Sequence, residues 1–390
     1  MSSDEASGMK RWDIFCTVVD NFGDIGVCWR LARQLAGEHG LALRLWVDDL
    51  ESFRPLCPGI DPGKDSQCQR GVEIRRWARP SFPAVDAADV ADVVIEAFAC
   101  ELPETYLAAM AAKRPRPAWI NLEYLSAEHW VEESHGLPSP HPHLPLIKHF
   151  FFPGFTAATG GLLREADLAQ RREAWLQDGD QAWGRLGLPP PRPDETSISL
   201  FCYENAALPE LLRAWSAGSE PIRCLVPAGR ALAQAAACLG RPSLSPGERV
   251  AHGRLTLHAL PFVAQEDYDR LLWSCDLNFV RGEDSFVRAQ WAARPLVWHI
   301  YPQEDDAHRR KLSAFLERYC ADLAATSPPA ALALRAFWQN WNRGGDAAAV
   351  WPDFWRQRAE LSAHASRWAE ALEKKPDLAG KLVNFIEQLV

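Results

Sequence analysis

The sequence predicts an α/β protein with two domains, each built on a parallel β-sheet. Apolar, β-branched runs alternate with stretches of helical periodicity in two separate series along the 390 residues. Such alternation is typical of strands joined by crossover helices. A proline-rich segment separates the two series, and a mostly helical stretch follows the second. The chain is long enough for two domains, each with its own core.

The first series contains five predicted strands. After the first of them, Val27, Leu31 and Leu35 recur at helical spacing, and a further helix is predicted over 105–113. The predicted strands are residues 14–19, 43–47, 72–74, 92–98 and 118–122.

Residues 134–155 interrupt this pattern with prolines and four histidines. Their spacing is not the i, i+4 pair of a helical metal site, so the segment predicts an ordered surface loop rather than a metal centre.

The second series begins after the linker candidate GLPPPRPDET. Its predicted strands are residues 197–202, 223–226, 255–258, 277–280 and 295–300, and the pattern is almost entirely helical from residue 304. The domain organisation that we expect is a flexible tail over 1–11, an N-terminal Rossmann-like domain over 12–184, a linker over 185–196, a C-terminal Rossmann-like domain over 197–365, and helices over 366–390 that pack back on the N-terminal domain.

Composition narrows the class of protein. The formal net charge of −9 argues against a general nucleic-acid binder, which would carry a basic patch. No uninterrupted apolar stretch approaches the roughly 18 residues of a membrane span, and no apolar signal region follows the polar start. The ten cysteines are scattered without a CxxC pair. We therefore expect free thiols and a cytoplasmic protein that contacts neither membranes nor nucleic acid.

The stretch Asp20–Gly26 follows the first predicted strand and opens the first helix. Ligands of open α/β sheets bind at such strand ends. Asp20 and Asp24 place two carboxylates there, whereas helix capping requires only one. The stretch lacks GxGxxG and a Walker lysine, so a nicotinamide enzyme is a weak alternative. Ordinary turn and capping roles remain the structural alternative.

Residues 281–285, Arg-Gly-Glu-Asp-Ser, occupy the equivalent place in the second series. Ser285 is predicted to be the N-cap of the next helix, whose amino end favours an anion. Arg281 can add a charged contact to a phosphate. Glu283 and Asp284 suit hydroxyl groups or a cationic partner. The alternative interpretation is a capped helix with a solvated acidic turn.

The two-domain layout matches GT-B glycosyltransferases, and particular motifs are more specific. They closely resemble the bacterial protein-arginine rhamnosyltransferases that modify elongation factor P, the EarP family. The resemblance runs from about residue 12 to the end of the chain. The segments that carry it most clearly are residues 15–35, 150–155, 200–204, 260–265 and 281–286.

The resemblance implies two Rossmann-like domains that face an interdomain cleft. Residues 12–184 would receive the protein acceptor, elongation factor P, and residues 197–365 the donor, dTDP-β-L-rhamnose. It implies inverting transfer of L-rhamnose to an arginine nitrogen, with no metal and no cofactor besides the donor. Asp24 matches the proposed general base, Asp20 a second essential carboxylate, and Glu283 an acidic residue needed for activity. The residues that match the donor site are Phe201, Tyr203, Phe262, Gln265, Arg281, Asp284 and Ser285, with Phe262 stacking on thymine near the Gln265 backbone.

These roles are chemically consistent. The pKa of a guanidinium is above about 12, so proton loss has to accompany nucleophilic attack. A pair of carboxylates can orient the guanidinium, and the amino end of the first helix is expected to keep Asp24 ionised. Arg281 and the later helix would stabilise the departing diphosphate.

Two other functions remain open from the residues. One is another nucleotide-sugar enzyme of the same fold, either an epimerase or a transferase to a small acceptor. The other is a non-catalytic adaptor that binds a translation factor through the tryptophan-rich helical end. The sequence does not separate the role of Asp20 from that of Asp24.

Overall fold

The computed structural model describes residues 10–20, 22–78, 81–303 and 306–389. Residues 1–9 of the tail predicted over 1–11, and Asn21 of the first loop, lie outside the described residues, whereas Arg11 is already part of a strand. The chain forms two compact units. Described residues up to Ala166, together with those from Lys375 onward, make the first unit, and Asp167–Lys374 makes the second.

The first unit is built on a sheet of eight strands within the described residues. The spatial order is β3-β4-β2-β1-β5-β6-β8-β7, in which β3 and β7 are antiparallel edge strands and their neighbours run parallel. The six parallel strands therefore have the Rossmann order. The strands are β1 Arg11–Cys16, β2 Ala42–Val47, β3 Ser66–Gln69, β4 Val72–Arg76, β5 Val93–Ala97, β6 Ala118–Leu122, β7 Pro138–Pro140 and β8 Ile147–Phe151.

The helices of this unit connect its strands, and the final helix of the chain also packs here. Leu378 donates its backbone N–H to Leu162 O at 2.9 Å, and Lys381 Nζ donates to Thr159 O at 2.6 Å. The helices are α1 Gly23–His39, α2 Leu50–Phe53, α3 Glu104–Ala112, α4 Trp130–Ser134 and, at the end of the chain, α15 Leu378–Leu389.

A buried ion pair crosses the core of the first unit. Arg44 on β2 grips Asp13 on β1 through two N–H···O bonds of 2.6 Å each. Trp46 Nε1 and the Tyr106 hydroxyl also donate to Asp13 Oδ2, at 3.1 and 2.5 Å. Because both carboxylate oxygens are satisfied, the pair fixes neighbouring strands without leaving a lone buried charge. Above it, Phe15 stacks on Trp46 with ring centroids 5.4 Å apart.

The second unit repeats the plan with a smaller sheet, ordered β11-β12-β10-β9-β13-β14. Its neighbouring strands run parallel except for the antiparallel edge strand β11. The strands are β9 Thr196–Leu200, β10 Ile222–Pro227, β11 Arg249–His252, β12 Leu255–Leu260, β13 Leu277–Arg281 and β14 Leu296–His299.

The helices of the second unit cover this sheet and form the tryptophan-rich end. Trp338 and Trp341 are fully buried, so they serve as core residues. The helices are α5 Leu168–Gln177, α6 Asp180–Arg185, α7 Leu208–Ala217, α8 Arg230–Cys238, α9 Gln265–Ser274, α10 Asp284–Trp291, α11 Ala307–Thr326, α12 Pro328–Arg343, α13 Ala347–Arg356 and α14 Arg358–Glu373.

The predicted α/β class with two parallel-sheet domains is confirmed. The units divide after Ala166 and before Lys375, whereas we had expected boundaries at 184–196 and after 365. Helix α5 packs within the second unit because Arg172 Nη1 donates to Trp291 O at 2.6 Å and Trp175 Nε1 donates to Ser274 Oγ at 2.9 Å. Helix α14 also stays there, where Trp368 Nε1 donates to Gln290 Oε1 at 2.8 Å.

The prediction of a loop over 134–155 was wrong in part. That segment contains β7 and β8, which pair as an edge hairpin with Ser139 opposite Lys148. Prolines are tolerated at such an edge, where one side of the strand has no ladder partner. Across the described part of the chain, no helix is both long and apolar enough to cross a bilayer.

Candidate active site

Each sheet has a switch point, where successive connections leave in opposite directions. In the first sheet it lies between β1 and β5, and in the second between β9 and β13. The loop that contains Asp20 follows β1, and the segment Arg281–Ser285 starts at the last residue of β13. Both predicted loops therefore lie where open α/β sheets bind ligands.

Asp24 lies in the first turn of α1, and only 2% of its surface is exposed. Its Oδ2 accepts the backbone N–H groups of Val19 at 2.8 Å and Asp20 at 2.9 Å. Its Oδ1 accepts the hydroxyl of Tyr124 at 3.2 Å. The carboxylate is thus held at both oxygens by donors from the loop and from the segment after β6.

The pKa of Asp24 is raised above its ordinary value, chiefly by burial. The bonds from the Asp20 and Val19 amides lower the pKa, and the neighbouring Asp20 carboxylate raises it again. We had expected the amino end of α1 to keep Asp24 ionised. The net shift has the opposite sign, because desolvation outweighs the stabilising hydrogen bonds. A carboxylate whose pKa lies closer to neutrality is better suited to accept a proton.

Asp20 is half-buried and folds over Gly23. The Gly23 amide donates to Asp20 O at 2.6 Å, which closes the turn into α1. An ideal Cβ built on Gly23 would lie 2.8 Å from Asp20 Oδ2. Glycine at this position therefore leaves room for the Asp20 carboxylate beside Asp24.

The second loop is a tight turn from β13 into α10. Gly282 has a φ of 58°, in the left-handed region that favours glycine. We had predicted Ser285 as the N-cap of α10, but this prediction was wrong, because the N-cap is Glu283. Ser285 lies inside the helix, where its hydroxyl accepts the Arg281 N–H at 3.0 Å and donates to Arg281 O. The serine thus closes the turn through its side chain.

Arg281 is brought together with two of the predicted donor-site residues. Its guanidinium carbon lies 4.6 Å from the ring centroid of Phe201 and 4.6 Å from that of Tyr203. Both residues follow β9, the strand adjacent to β13. Contacts of a cation with two aromatic faces fix the guanidinium plane.

Gln265 and Asp284 lie at the amino ends of α9 and α10. Gln265 Nε2 donates to Asp284 Oδ2 at 3.3 Å, which joins the two helix ends. The same two helices are also joined by the buried, bidentate pair Arg288–Asp269, with N···O distances of 3.0 and 2.7 Å. Phe262 is half-buried in the segment between β12 and α9.

The predicted site residues thus form two sets. Asp20 and Asp24 lie in the first unit. Glu283 and the predicted donor-site residues lie in the second, at the end of β13 or in the segments that follow β9, β12 and β13; these donor-site residues are Phe201, Tyr203, Phe262, Gln265, Arg281, Asp284 and Ser285.

Sequence reasoning missed Tyr124 and His299. Tyr124 lies two residues after the end of β6, and its position after a predicted strand was the available signal. His299 ends β14 opposite Arg281 in the strand register, and its ring packs against Tyr203 with centroids 5.3 Å apart. Burial and the nearby Arg281 lower the pKa of His299 to about 4, so the ring is neutral near pH 7.

Residues 134–155 contain four histidines, for which a metal centre was the alternative to a surface loop. Among the residues that the structure describes, no group of three or more His, Cys, Asp or Glu side chains is arranged to hold a metal ion.

Two parallel-sheet units, each with a switch point at its strand ends, define the GT-B class of fold. MurG of Acinetobacter baumannii has this fold and aligns with a TM-score of 0.50 over 97% of this chain and 99% of its own, at 13% identity. Residues 12–387 match the family described as Elongation-Factor P (EF-P) rhamnosyltransferase EarP, and the chain belongs to that family.

Relatives of the family cover the chain almost completely. A protein-arginine rhamnosyltransferase of Pseudomonas aeruginosa is 53% identical over 97% of this chain and 99% of the relative. One from Neisseria meningitidis is 37% identical over 96% of each. A solved structure described as the structural basis for EarP-mediated arginine glycosylation of translation elongation factor EF-P aligns with a TM-score of 0.69, at 37% identity, over 98% of this chain and all of that one.

Proposed function

We propose that this chain transfers L-rhamnose from dTDP-β-L-rhamnose to an arginine side chain of elongation factor P, with inversion at the anomeric carbon. The observation that carries the proposal is the buried, hydrogen-bonded carboxylate of Asp24 beside Asp20, in a chain of the EarP family. The members of this family are elongation factor P rhamnosyltransferases, which supports both the enzyme class and the protein acceptor that we propose.

The acceptor arginine binds at the Asp20/Asp24 loop. A guanidinium carries N–H donors in a planar fork, and two neighbouring carboxylates offer the matching acceptors. The arginine nitrogen attacks the anomeric carbon as the bond from that carbon to the diphosphate oxygen breaks. The N–H proton passes to Asp24, and dTDP leaves. The raised pKa of Asp24 favours this proton transfer.

The donor binds in the second unit. The guanidinium of Arg281 and the amino end of α10 provide positive charge for the departing diphosphate, so the reaction needs no metal. Phe262 offers an aromatic face to thymine, with Gln265 three residues further along the chain. Tyr203, Asp284 and Ser285 surround the ribose and diphosphate, Phe201 forms a wall, and Glu283 contributes an acidic group near the sugar.

The test uses the purified full-length chain, dTDP-β-L-rhamnose and elongation factor P. We expect mass spectrometry to find one deoxyhexose on a single arginine, an α-linkage by NMR, and activity that persists with EDTA. Asp24→Asn and Asp20→Asn should each abolish transfer while dTDP still binds, because the donor residues lie in the other unit.

The same assay separates the alternatives. An epimerase or small-acceptor transferase would consume a nucleotide sugar without modifying elongation factor P. An adaptor would bind elongation factor P unchanged, and its cellular role would survive both aspartate substitutions. Because a translation factor is the proposed acceptor, we also propose that the protein acts in the cytoplasm.

A further inference from the structure

One contact of Asp24 comes from outside its loop. Tyr124, in the segment after β6, donates its hydroxyl to Asp24 Oδ1 at 3.2 Å, across 100 residues of sequence. We infer that Tyr124, supported by Phe98, is a positioning residue that sets the orientation of the Asp24 carboxylate for arginine glycosylation. The inference rests on the proposed function and adds residues to which no role has been assigned.

The division of donors between the two carboxylate oxygens explains why Tyr124 matters. Oδ2 is held by the adjacent backbone amides of Val19 and Asp20. Bonds to one oxygen alone allow the carboxylate plane to tilt about that oxygen. The Tyr124 hydroxyl fixes the second oxygen, and one donor on Oδ1 still leaves that atom the capacity to accept a proton.

Phe98 packs against the Tyr124 ring. The two rings are stacked, with centroids 4.4 Å apart and planes inclined by 15°. Phe98 lies in the turn after β5, the strand that borders β1 on the side opposite to β2. The phenol is therefore anchored at its ring by stacking and at its hydroxyl by Asp24.

The turn that presents Phe98 adopts an unusual backbone conformation. Phe98, Ala99 and Glu101 have φ values of 56°, 51° and 53°, in the left-handed region that non-glycine residues rarely adopt. Such strain persists only where the surroundings enforce it, and it concentrates at functional sites. Here the Phe98 N–H donates to Leu122 O at 2.7 Å, and the Glu101 N–H donates to Glu96 Oε1 at 3.1 Å.

The titratable groups around Asp24 define what removal of the hydroxyl does. Asp20 on the same loop raises the pKa of Asp24, whereas the Tyr124 hydrogen bond lowers it. Cys16 at the end of β1 has its own thiol pKa raised, so it is neutral. Asp48, after β2, accepts the Val18 N–H at 2.9 Å and supports the preceding part of the loop. Loss of the phenolic donor therefore raises the pKa of Asp24 further.

The experiment compares Tyr124→Phe with the wild-type full-length chain in the rhamnosyl-transfer assay across pH. We expect kcat to fall roughly 10- to 100-fold, the loss typical of a hydrogen bond to a charged group. The KM for dTDP-β-L-rhamnose should not change, and the acidic limb of kcat/KM should move to higher pH. Phe98→Leu, which keeps the hydroxyl but removes the stacked ring, should give a smaller change in the same direction.

Tyr106→Phe is the matched control, because Tyr106 donates its hydroxyl to the structural carboxylate of Asp13 in the same unit. It should lower the melting temperature without moving the pH profile. The inference is overturned if Tyr124→Phe keeps wild-type kcat, or if it loses activity while the acidic limb stays where it is in the wild type, which is the result of a merely structural role. A wild-type chain that transfers no rhamnose overturns the proposed function itself, so the two failures are distinguishable.

Discussion

Replacement of Gly23 by alanine tests whether the position of the Asp20 carboxylate controls activity. Gly23 is the first residue of α1, and the Asp20 side chain occupies the space that a Cβ would fill. The substitution adds one methyl group and changes no charge. Its effect therefore acts through the placement of Asp20, while both carboxylates remain present.

The expected loss of kcat follows from the distance by which the Asp20 carboxylate has to move. The new Cβ would lie 2.8 Å from Asp20 Oδ2, and ordinary contact begins at 3.4 Å, so the oxygen has to move by about 0.6 Å. The displaced atom is the end of a short side chain, which makes the movement inexpensive for folding. A misplacement of about 1 Å at a reacting centre can cost about 100-fold in rate. We expect kcat to fall roughly 10- to 100-fold, with a change of less than about 0.5 kcal/mol in the free energy of unfolding.

Gly37→Ala provides the control within the same helix. An added Cβ at Gly37 meets nothing within 4 Å, and the residue lies on the exposed side of α1. Alanine in a helix interior is more stable than glycine by about 0.5–1 kcal/mol, so this variant should be slightly stabilised and fully active. Both variants are compared by rhamnosyl transfer to elongation factor P and by urea unfolding. Wild-type kcat for Gly23→Ala would refute the reasoning that Asp20 must occupy its observed position.

Two further predictions concern the second unit. Arg281→Lys should weaken dTDP binding roughly 10-fold, because an ammonium group replaces the planar guanidinium that lies between Phe201 and Tyr203. Calorimetric titration measures the dissociation constant of dTDP. An unchanged dissociation constant would contradict a role for the guanidinium. Arg288→Met should lower the free energy of unfolding by about 3–5 kcal/mol, because it removes the bidentate cationic partner of the buried Asp269 carboxylate. The double variant with Asp269→Leu should recover most of that loss in the same denaturation experiment, and no recovery would mean that the pair is not the cause.

The two loops could be found from the sequence because their signals are local. Short apolar, β-branched runs mark the predicted strands and apolar residues at helical spacing mark the predicted helices, so the ends of strands are visible without tertiary information. Asp20 and Asp24 after the first strand, and Arg281 to Ser285 after a later one, were located in this way. The family motifs added roles for Phe201, Tyr203, Phe262 and Gln265 that no periodicity could supply.

Chain folding decided the contacts within each site. Tyr124 reaches Asp24 only because β6 and β1 both border β5 in the sheet, and strand order is not encoded in a local pattern. The same holds for Arg281 between two rings that follow β9. The sequence also did not determine the hydrogen-bond partners of side-chain hydroxyls. Ser285 bonds to the Arg281 backbone instead of capping α10.

The pKa of Asp24 depends on the tertiary structure more than on the local sequence. From the sequence, Asp24 at the amino end of a helix was expected to be kept ionised, since the helix dipole favours a negative charge. In the folded chain the pKa of Asp24 is raised, because packing removes the carboxylate from water. Sequence alone therefore determined the fold class and the place of the Asp20/Asp24 loop. Only the tertiary structure decided the burial and hydrogen bonding of that carboxylate, since desolvation depends on every element packed around it.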